Sequence, residues 1–394
     1  MKIHAPQSRN LFMKKLVCLL LALVLLLSLV ACGSEREEKF YGSLSGTITE
    51  ISKYGNVKIT TTKAEMAEKG YEFGDVVTVT FADKSLDVPY CGTYSDVDAG
   101  APGLFGRPDD EEVTIAVNVG DFATFYGIAT KTTHEDKSYE WNYCDGIDES
   151  LTFEISMKQK RGYYDEYVIR QLVYTDERSD YPELTDEQFG NFRVVSTTGM
   201  GENVLYRSAT PVDPQKNRNT YVDAAARAHG ITVIIDLNDS EESLAGFEGF
   251  ATSYFATTNY ITLNMGLDFT QKDFKVKLAE GLRYMGENKG VYLVHCLEGK
   301  DRTGFVIALL EFLMGASYEE AEADYMVTYY NYYGVKKGEE KYKVIADSNF
   351  EKNLIRSLGV ESVKDKDLAE LATDYIHSIG LTDEDISALK ANLS

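Results

Sequence analysis

The stretch Val291-Tyr292-Leu293-Val294-His295-Cys296-Leu297-Glu298-Gly299-Lys300-Asp301-Arg302-Thr303-Gly304 passes from an apolar run into a polar loop. It then enters a second apolar run that ends at Met314 and Gly315. The first run reads as a buried strand and the second as a helix stopped by glycine. A loop between strand and helix turns backbone N–H groups inward, and the helix N-terminus adds partial positive charge. That cradle suits a tetrahedral dianion such as phosphate. Cys296 and Arg302 bracket its five central residues. Arginine grips two oxygens in a bidentate manner, which lysine does less well. Cys296 lies where the same field favours thiolate over thiol, and thiolate is the attacking species. Gly299 permits the close backbone approach that the cradle needs. Leu297, Glu298, Gly299 and Lys300 are therefore the candidate substrate-contacting loop.

Outward from this loop the pattern stays regular. Thr220 to His229 is alanine-rich and helical, stopped by Gly230. Ile231 to Ile235 and Tyr260 to Leu263 are short apolar strands, and Phe274 to Met285 has helical spacing. Ser317 and Glu320 form a capping box for a further helix. Alternating strands and helices imply an α/β layer with a mostly parallel sheet flanked by helices.

The run from His295 to Gly304 resembles the signature loop of the protein tyrosine phosphatase superfamily, closest to its bacterial tyrosine and its dual- or lipid-specific branch. Asn191-Phe192-Arg193, Leu205-Tyr206-Arg207-Ser208-Ala209 and Ile234-Ile235-Asp236-Leu237 are similar to that branch's upstream segments. Asp324-Tyr325-Met326 and Tyr375 to Leu381 are similar to its tail, so the likeness spans about residues 185 to 394. It departs at Asn238, where the branch usually carries arginine. The resemblance implies a hydrolase of phosphate monoesters acting through a cysteinyl-phosphate intermediate, with no metal or organic cofactor. Phosphotyrosine, phosphoinositide and inositol phosphate are all open as substrates. A rhodanese-type sulfur carrier also holds cysteine in an anion cradle, but the Gly-Lys-Asp-Arg-Thr run favours phosphate. The alternative is a surface-anchored phospho-ligand binding module with a silent phosphatase fold.

Cleavage also needs a proton donor for the leaving oxygen. Three aspartates compete. Asp301 lies in the loop itself and is the one that the resemblance favours. Asp268 follows a strand and precedes the helix leading into the signature strand, and ranks equal with it. Asp236 ends a strand and ranks below, as a loop-holding or substrate-contacting residue. The resemblance implies that His295 packs and hydrogen-bonds behind the loop to orient Cys296, and that Thr303 donates a hydrogen bond to the sulfur. Lys300 adds charge that favours highly anionic substrates.

The N-terminal half reads as β-rich. Thr47 to Ile51 and Val57 to Thr61 alternate in character and are joined through Lys53-Tyr54-Gly55-Asn56, a strand-turn-strand signal. Val77 to Phe81, Val113 to Val117, Leu151 to Ile155 and Tyr167 to Val173 repeat the pattern, which predicts a small barrel or sandwich. Residues 42 to 128 are similar to the C-terminal domain of the S-adenosylmethionine hydroxide adenosyltransferases. The catalytic domain of that family has no counterpart here, so no adenosyl chemistry follows. Asn118 is left as a candidate ligand or partner position beside the plainer reading of a structural β-domain.

Arg9, Lys14 and Lys15 precede the apolar run Leu16 to Val30, whose length suits a signal-peptide core. Leu29-Val30-Ala31-Cys32-Gly33-Ser34 resembles the bacterial lipobox, which implies a lipid anchor on Cys32 and an extracytoplasmic protein tethered to the bacterial cell membrane. The reading therefore divides the chain into a lipoprotein signal peptide (1–32), a tether (33–41), a β-rich module (42–175), a charged linker (176–187) and a cysteine-dependent phosphatase domain (188–394). The formal net charge of −23 makes nucleic acid an unsuitable partner. It also requires a local positive pocket to draw in an anionic substrate. Cys91 and Cys144 are either a disulfide, which an exported compartment permits, or two reduced cysteines.

Overall fold

The computed structural model describes residues 41–394. The leader, Cys32 and most of the tether lie outside the described residues. The N-terminal strands are β1 (Leu44–Ile51), β2 (Val57–Thr62), β3 (Val76–Phe81), β4 (Lys84–Cys91), β5 (Pro102–Phe105), β6 (Glu112–Val117), β7 (Ala129–Thr133), β8 (Tyr139–Tyr143) and β9 (Thr152–Gln159). Seven of them close a barrel in the order β1-β2-β6-β5-β4-β3-β9, and β7 and β8 form a separate hairpin. Of the barrel and sandwich readings, the barrel is the one formed. The alternation explains it: Val57, Ile59 and Thr61 point inward from β2, and Val77, Val79 and Phe81 from β3. Phe81 stacks on Phe153 at 4.8 Å between ring centres and lies 5.7 Å from Phe122. The β1–β2 turn needs its glycine. Gly55 has φ +82, and a Cβ there would stand 1.9 Å from Asp121 Oδ1. Asn118 is used structurally, donating from Nδ2 to Val97 O at 2.8 Å. Cys91 and Cys144 are both free thiols.

One expected strand is a helix. Tyr167 to Val173 does not extend the barrel; α1 (Tyr164–Arg170) forms instead, followed by irregular chain. Asp165 and Glu166 occupy the positive end of its first turn, and Glu166 pairs with Arg170 one turn later at 2.8 Å. These local terms favour helix where alternation over a few residues is the only argument for strand.

The C-terminal half is built on a five-stranded sheet of β10 (Arg193–Val194), β11 (Leu205–Ser208), β12 (Val233–Asp236), β13 (Asn259–Thr262) and β14 (Tyr292–His295), ordered β10-β11-β14-β12-β13. All neighbours are parallel except β10 with β11. Register places Ser208, His295 and Asp236 at one level, so three strands end together and open a crevice at their carboxyl ends. The main helices are α2 (Asn219–Ala228), α3 (Lys272–Glu287), α4 (Asp301–Met314), α5 (Tyr318–Tyr333), α6 (Glu340–Ile345), α7 (Leu368–Ser378) and α8 (Asp383–Leu393). α4 is buried on nearly every side, which is why its sequence is apolar all round rather than striped. It stops at Gly315 in the left-handed region, and α5 starts with the Ser317–Glu320 capping box.

The charged segment 176–187 is ordered. Leu184 is buried, and a helical turn runs Asp186–Phe189. Arg218, fully buried, lies between the rings of Phe189 and Tyr332, its guanidinium carbon 4.1 and 3.9 Å from their centres. It donates to Phe189 O and to Thr175 O, and lies 3.7 Å from Asp176. The two halves also touch through Glu340 at the start of α6, which takes hydrogen bonds from Arg161 and Tyr164.

Candidate active site

β14 delivers the chain to Cys296, which is 3% exposed, and α4 begins five residues later. Gly299 has φ +66 in between, and a Cβ there would fall 2.2 Å from Ser208 O, so only glycine fits. Lys300 follows in the right-handed region. Successive residues of opposite hand form a concave nest of N–H groups. The outer side of the loop is pinned. Leu297 O accepts from Thr210 N (3.2 Å), Glu298 O from Asn191 Nδ2 and Tyr332 Oη (3.0 Å each), and Gly299 O from Arg207 Nη2 (2.8 Å). In a trans peptide the N–H points opposite to the C=O. Fixing these three carbonyls therefore aims the N–H groups of Glu298, Gly299 and Lys300 the other way. None of them donates to a protein acceptor among the described residues.

The buttress is itself held. Buried Arg207 donates to Asp324 at 2.5 Å and Arg193 reaches the other oxygen of that carboxylate at 2.9 Å. Burial outweighs Asp324 and lowers Arg193 to about 10, while burial and Asp324 raise Glu311 well above the ordinary range.

Arg302 is anchored along one edge. Nη1 donates to Met265 O (2.9 Å) and Leu237 O (3.3 Å), and Nη2 to Asn238 Oδ1 (2.7 Å). Its Nε is buried with no partner among the described residues. The Nε hydrogen and the second Nη2 hydrogen lie along the edge that meets two oxygens side-on. Thr303 is fully buried and its hydroxyl likewise has no protein partner among the described residues.

His295 packs as expected, edge-on to Phe255 at 5.8 Å, but it does not hydrogen-bond. The nearest charge is Asp236 Oδ1, 3.9 Å from Nε2. Burial lowers His295 to about 4, so the ring is neutral at pH 7. Asp236 has no accessible surface, which removes it as a substrate contact in this conformation. Its Oδ1 takes the backbone N–H groups of Asn238 (2.8 Å) and Asp239 (3.0 Å), the loop-holding role. Burial raises Asp236 and Asp239 to about 6 each.

The two leading acid candidates occupy different settings. Asp268 accepts from Thr270, Gln271 and Arg356, and those hydrogen bonds lower it to about 2. Asp301 opens α4 and lines a cleft of about 160 Å³ with Leu267, Phe269, Asn353 and Arg356. The protein around Asp301 raises it above the ordinary aspartate range, although Lys300 and Arg302 oppose the shift. Lys300 lies 2.8 Å from Glu298, 4.0 Å from Asp301 and 3.4 Å from Tyr333 Oη, and these neighbours raise it despite the cost of burial. Sequence reasoning passed over Tyr174 and Lys216, which meet Glu298 from the far side, and treated Asn238 only as a departure. That departure was the available signal: an arginine at 238 would set a second cation against Arg302.

Among the described residues no group of three or more His, Cys, Asp or Glu is placed to hold a metal ion. No curated protein matches the chain. Solved structures that match include an uncharacterized conserved protein from Thermotoga maritima, with 22% identity over 29% of this chain and a TM-score of 0.22; the chain spans only 35% of that protein's length. The core catalytic domain of the PP-IP phosphatase SIW14 from S. cerevisiae, in complex with citrate, matches at 18% identity over 40% of this chain and 93% of that one, TM-score 0.25. The Yvh1 phosphatase domain from Chaetomium thermophilum matches at 16% identity over 50% of this chain and 93% of that one, TM-score 0.22. The family model described as the tyrosine phosphatase family matches residues 188–394, from the helical turn before β10 to the last residue given. That match takes in the sheet, the pinned loop and every candidate catalytic residue over more than half of the sequence, and the chain belongs to the tyrosine phosphatase family.

Proposed function

We propose that this protein hydrolyses phosphate monoesters by double displacement. The observation that carries the reading is the set of three pinned carbonyls, which leaves the N–H groups of Glu298, Gly299 and Lys300 facing away from their buttress, together with the unpartnered Nε of Arg302; a phosphate beside Cys296 would take up both. Cys296 Sγ attacks phosphorus as thiolate, the ester P–O bond breaks, and Asp301 gives its proton to the leaving oxygen. Water then attacks the cysteinyl phosphate, the carboxylate of Asp301 takes its proton, and the P–S bond breaks to release phosphate. Thr303, whose hydroxyl has no protein partner among the described residues, would make the thiolate a better leaving group in that second step by turning that hydroxyl onto the sulfur. Asp301 is preferred to Asp268 because it lies in the loop itself and its surroundings raise it above the ordinary aspartate range, whereas hydrogen bonds lower Asp268. Phosphotyrosine, phosphoinositides and inositol phosphates are the substrate classes to test.

Asp301→Asn is expected to slow an alkyl phosphate by about a hundredfold and para-nitrophenyl phosphate far less, because an activated leaving group hardly needs the proton. Asp268→Asn should slow neither. Equal losses of Asp301→Asn on both substrates would remove it as the acid. Absence of phosphate release by the wild type from any member of a substrate panel would favour the silent binding module.

The reading extends to location: lipid on Cys32 holds the protein at the outer face of the bacterial cell membrane. Among the described residues no helix is long and apolar enough to cross a membrane. Cys32→Ala should yield protein that is unprocessed or released from the membrane fraction. A processed variant that still sediments with membranes would refute the anchor.

A further inference from the structure

We propose that Tyr174, on the segment joining the barrel to the phosphatase sheet, is a positioning residue that sets how much of the Lys300 charge a substrate meets. The proposal rests on the phosphate-binding reading of the loop given above. Its basis is a row of side chains that converges on Glu298. Oε1 of Glu298 accepts from Tyr174 Oη at 2.5 Å and lies 3.6 Å from Lys216 Nζ. Oε2 faces Lys300 Nζ at 2.8 Å. Lys216 in turn donates to Tyr174 Oη at 2.6 Å and lies 3.8 Å from Asp176. Tyr174 is wedged edge-on against Tyr332 and Tyr333, with ring centres 5.0 and 5.4 Å away. Tyr333 is also the partner of Lys300. Tyr174, Tyr332 and Tyr333 also line a groove of about 360 Å³.

Glu298 carries one negative charge and divides it between two oxygens. The Tyr174 hydroxyl and Lys216 hold Oε1 and keep the carboxylate turned, so that Lys300 faces a single oxygen. Without the hydroxyl, only the more distant Lys216 restrains Oε1. The carboxylate is then free to rotate both oxygens onto Lys300 and pair it side-on. Lys300 would present less positive potential to a second anionic group on the ligand. Tyr174 and Lys216 meet the loop only at the Glu298 carboxylate; among the described residues neither bonds a backbone group of the nest or Arg302.

Tyr174→Phe isolates the effect, since phenylalanine keeps the ring contacts with Tyr332 and Tyr333 and removes only the hydroxyl. Calorimetric titrations of wild type and variant with inorganic phosphate and with inositol hexakisphosphate would be compared at low salt. The expected result is unchanged affinity for inorganic phosphate and about fivefold weaker binding of the hexakisphosphate, the size of one ordinary intramolecular hydrogen bond. The KM for para-nitrophenyl phosphate and its kcat should stay as in the wild type. Equal weakening of both ligands, no weakening of the hexakisphosphate, or a fall in kcat alone would overturn the proposal, since a merely structural role predicts one of these. The hydrolase reading fails separately, through a wild type that binds both ligands but releases phosphate from no substrate. A wild type that binds neither ligand overturns both.

Discussion

Cys296→Ser is expected to bind phosphate esters as the wild type does and to lose turnover by at least about a thousandfold. The reason is the ionisation of the attacking atom. A thiol in water ionises near pH 8.5, within reach of a positive cradle, whereas a serine hydroxyl is far less acidic. Among the described residues no side chain hydrogen-bonds the Cys296 sulfur as a base for serine would: His295 is neutral at pH 7, but neither of its ring nitrogens has a hydrogen-bond partner, and Nε2 lies 3.9 Å from Asp236. The exchange leaves the cradle intact, because the pinned carbonyls belong to Leu297, Glu298 and Gly299. Arg302→Ala should instead remove binding and rate together. Steady-state hydrolysis of para-nitrophenyl phosphate beside calorimetric binding of inorganic phosphate separates the two variants. Wild-type-like turnover by the serine variant would end the cysteinyl-phosphate mechanism.

Asp324→Ala should be the most damaging change that touches no substrate. Its carboxylate is the shared anion of Arg193 and Arg207, and all three lie behind the loop. Removing one partner of a buried ion cluster leaves the others uncompensated and costs roughly 3–5 kcal/mol. Burial still disfavours the charged form of Glu311 in the variant, although losing Asp324 removes part of what raises it. Arg207 would then no longer be held against Gly299 O, so the cradle should loosen as stability falls. The single tryptophan, Trp141, lies in β8 of the N-terminal half and supplies an internal control. In urea, the transition followed by circular dichroism should move to lower denaturant while the Trp141 fluorescence transition stays in place. Coincident shifts, or no shift, would show that the cluster is not the local keystone described here.

The site's centre was legible because its signals are contiguous. Cys296, Gly299, Arg302 and Thr303 lie within eight residues, and α4 announces itself through an unbroken apolar run and Gly315. The buttress was not legible as such. Arg207 and Asp324 are 117 residues apart, and nothing in local spacing says that one holds the other beneath a loop. Asp268 shows a different limit: its place before α3 reads as right for an acid, but spacing alone does not say that Gln271 and Thr270, three and two residues on, turn their donors onto it and hold it low, with Arg356 adding a smaller part. The strand reading of Tyr167 to Val173 failed because alternation over a few residues is a weak constraint beside an acidic first turn and a one-turn ion pair.

Arg218 gives the seam between the two halves a practical meaning. Its guanidinium has no contact with solvent, and two of its partners, Thr175 O and Asp176, stand upstream of the region shared with the family. A fragment cut at residue 188 would carry this cation into the core without them, at a cost of several kcal/mol. A catalytic fragment that begins before Thr175 is therefore expected to be more stable than one that begins at residue 188, as urea unfolding of the two would show. Grafting the phosphatase onto a different leading module would have to bring that stretch of chain along with it.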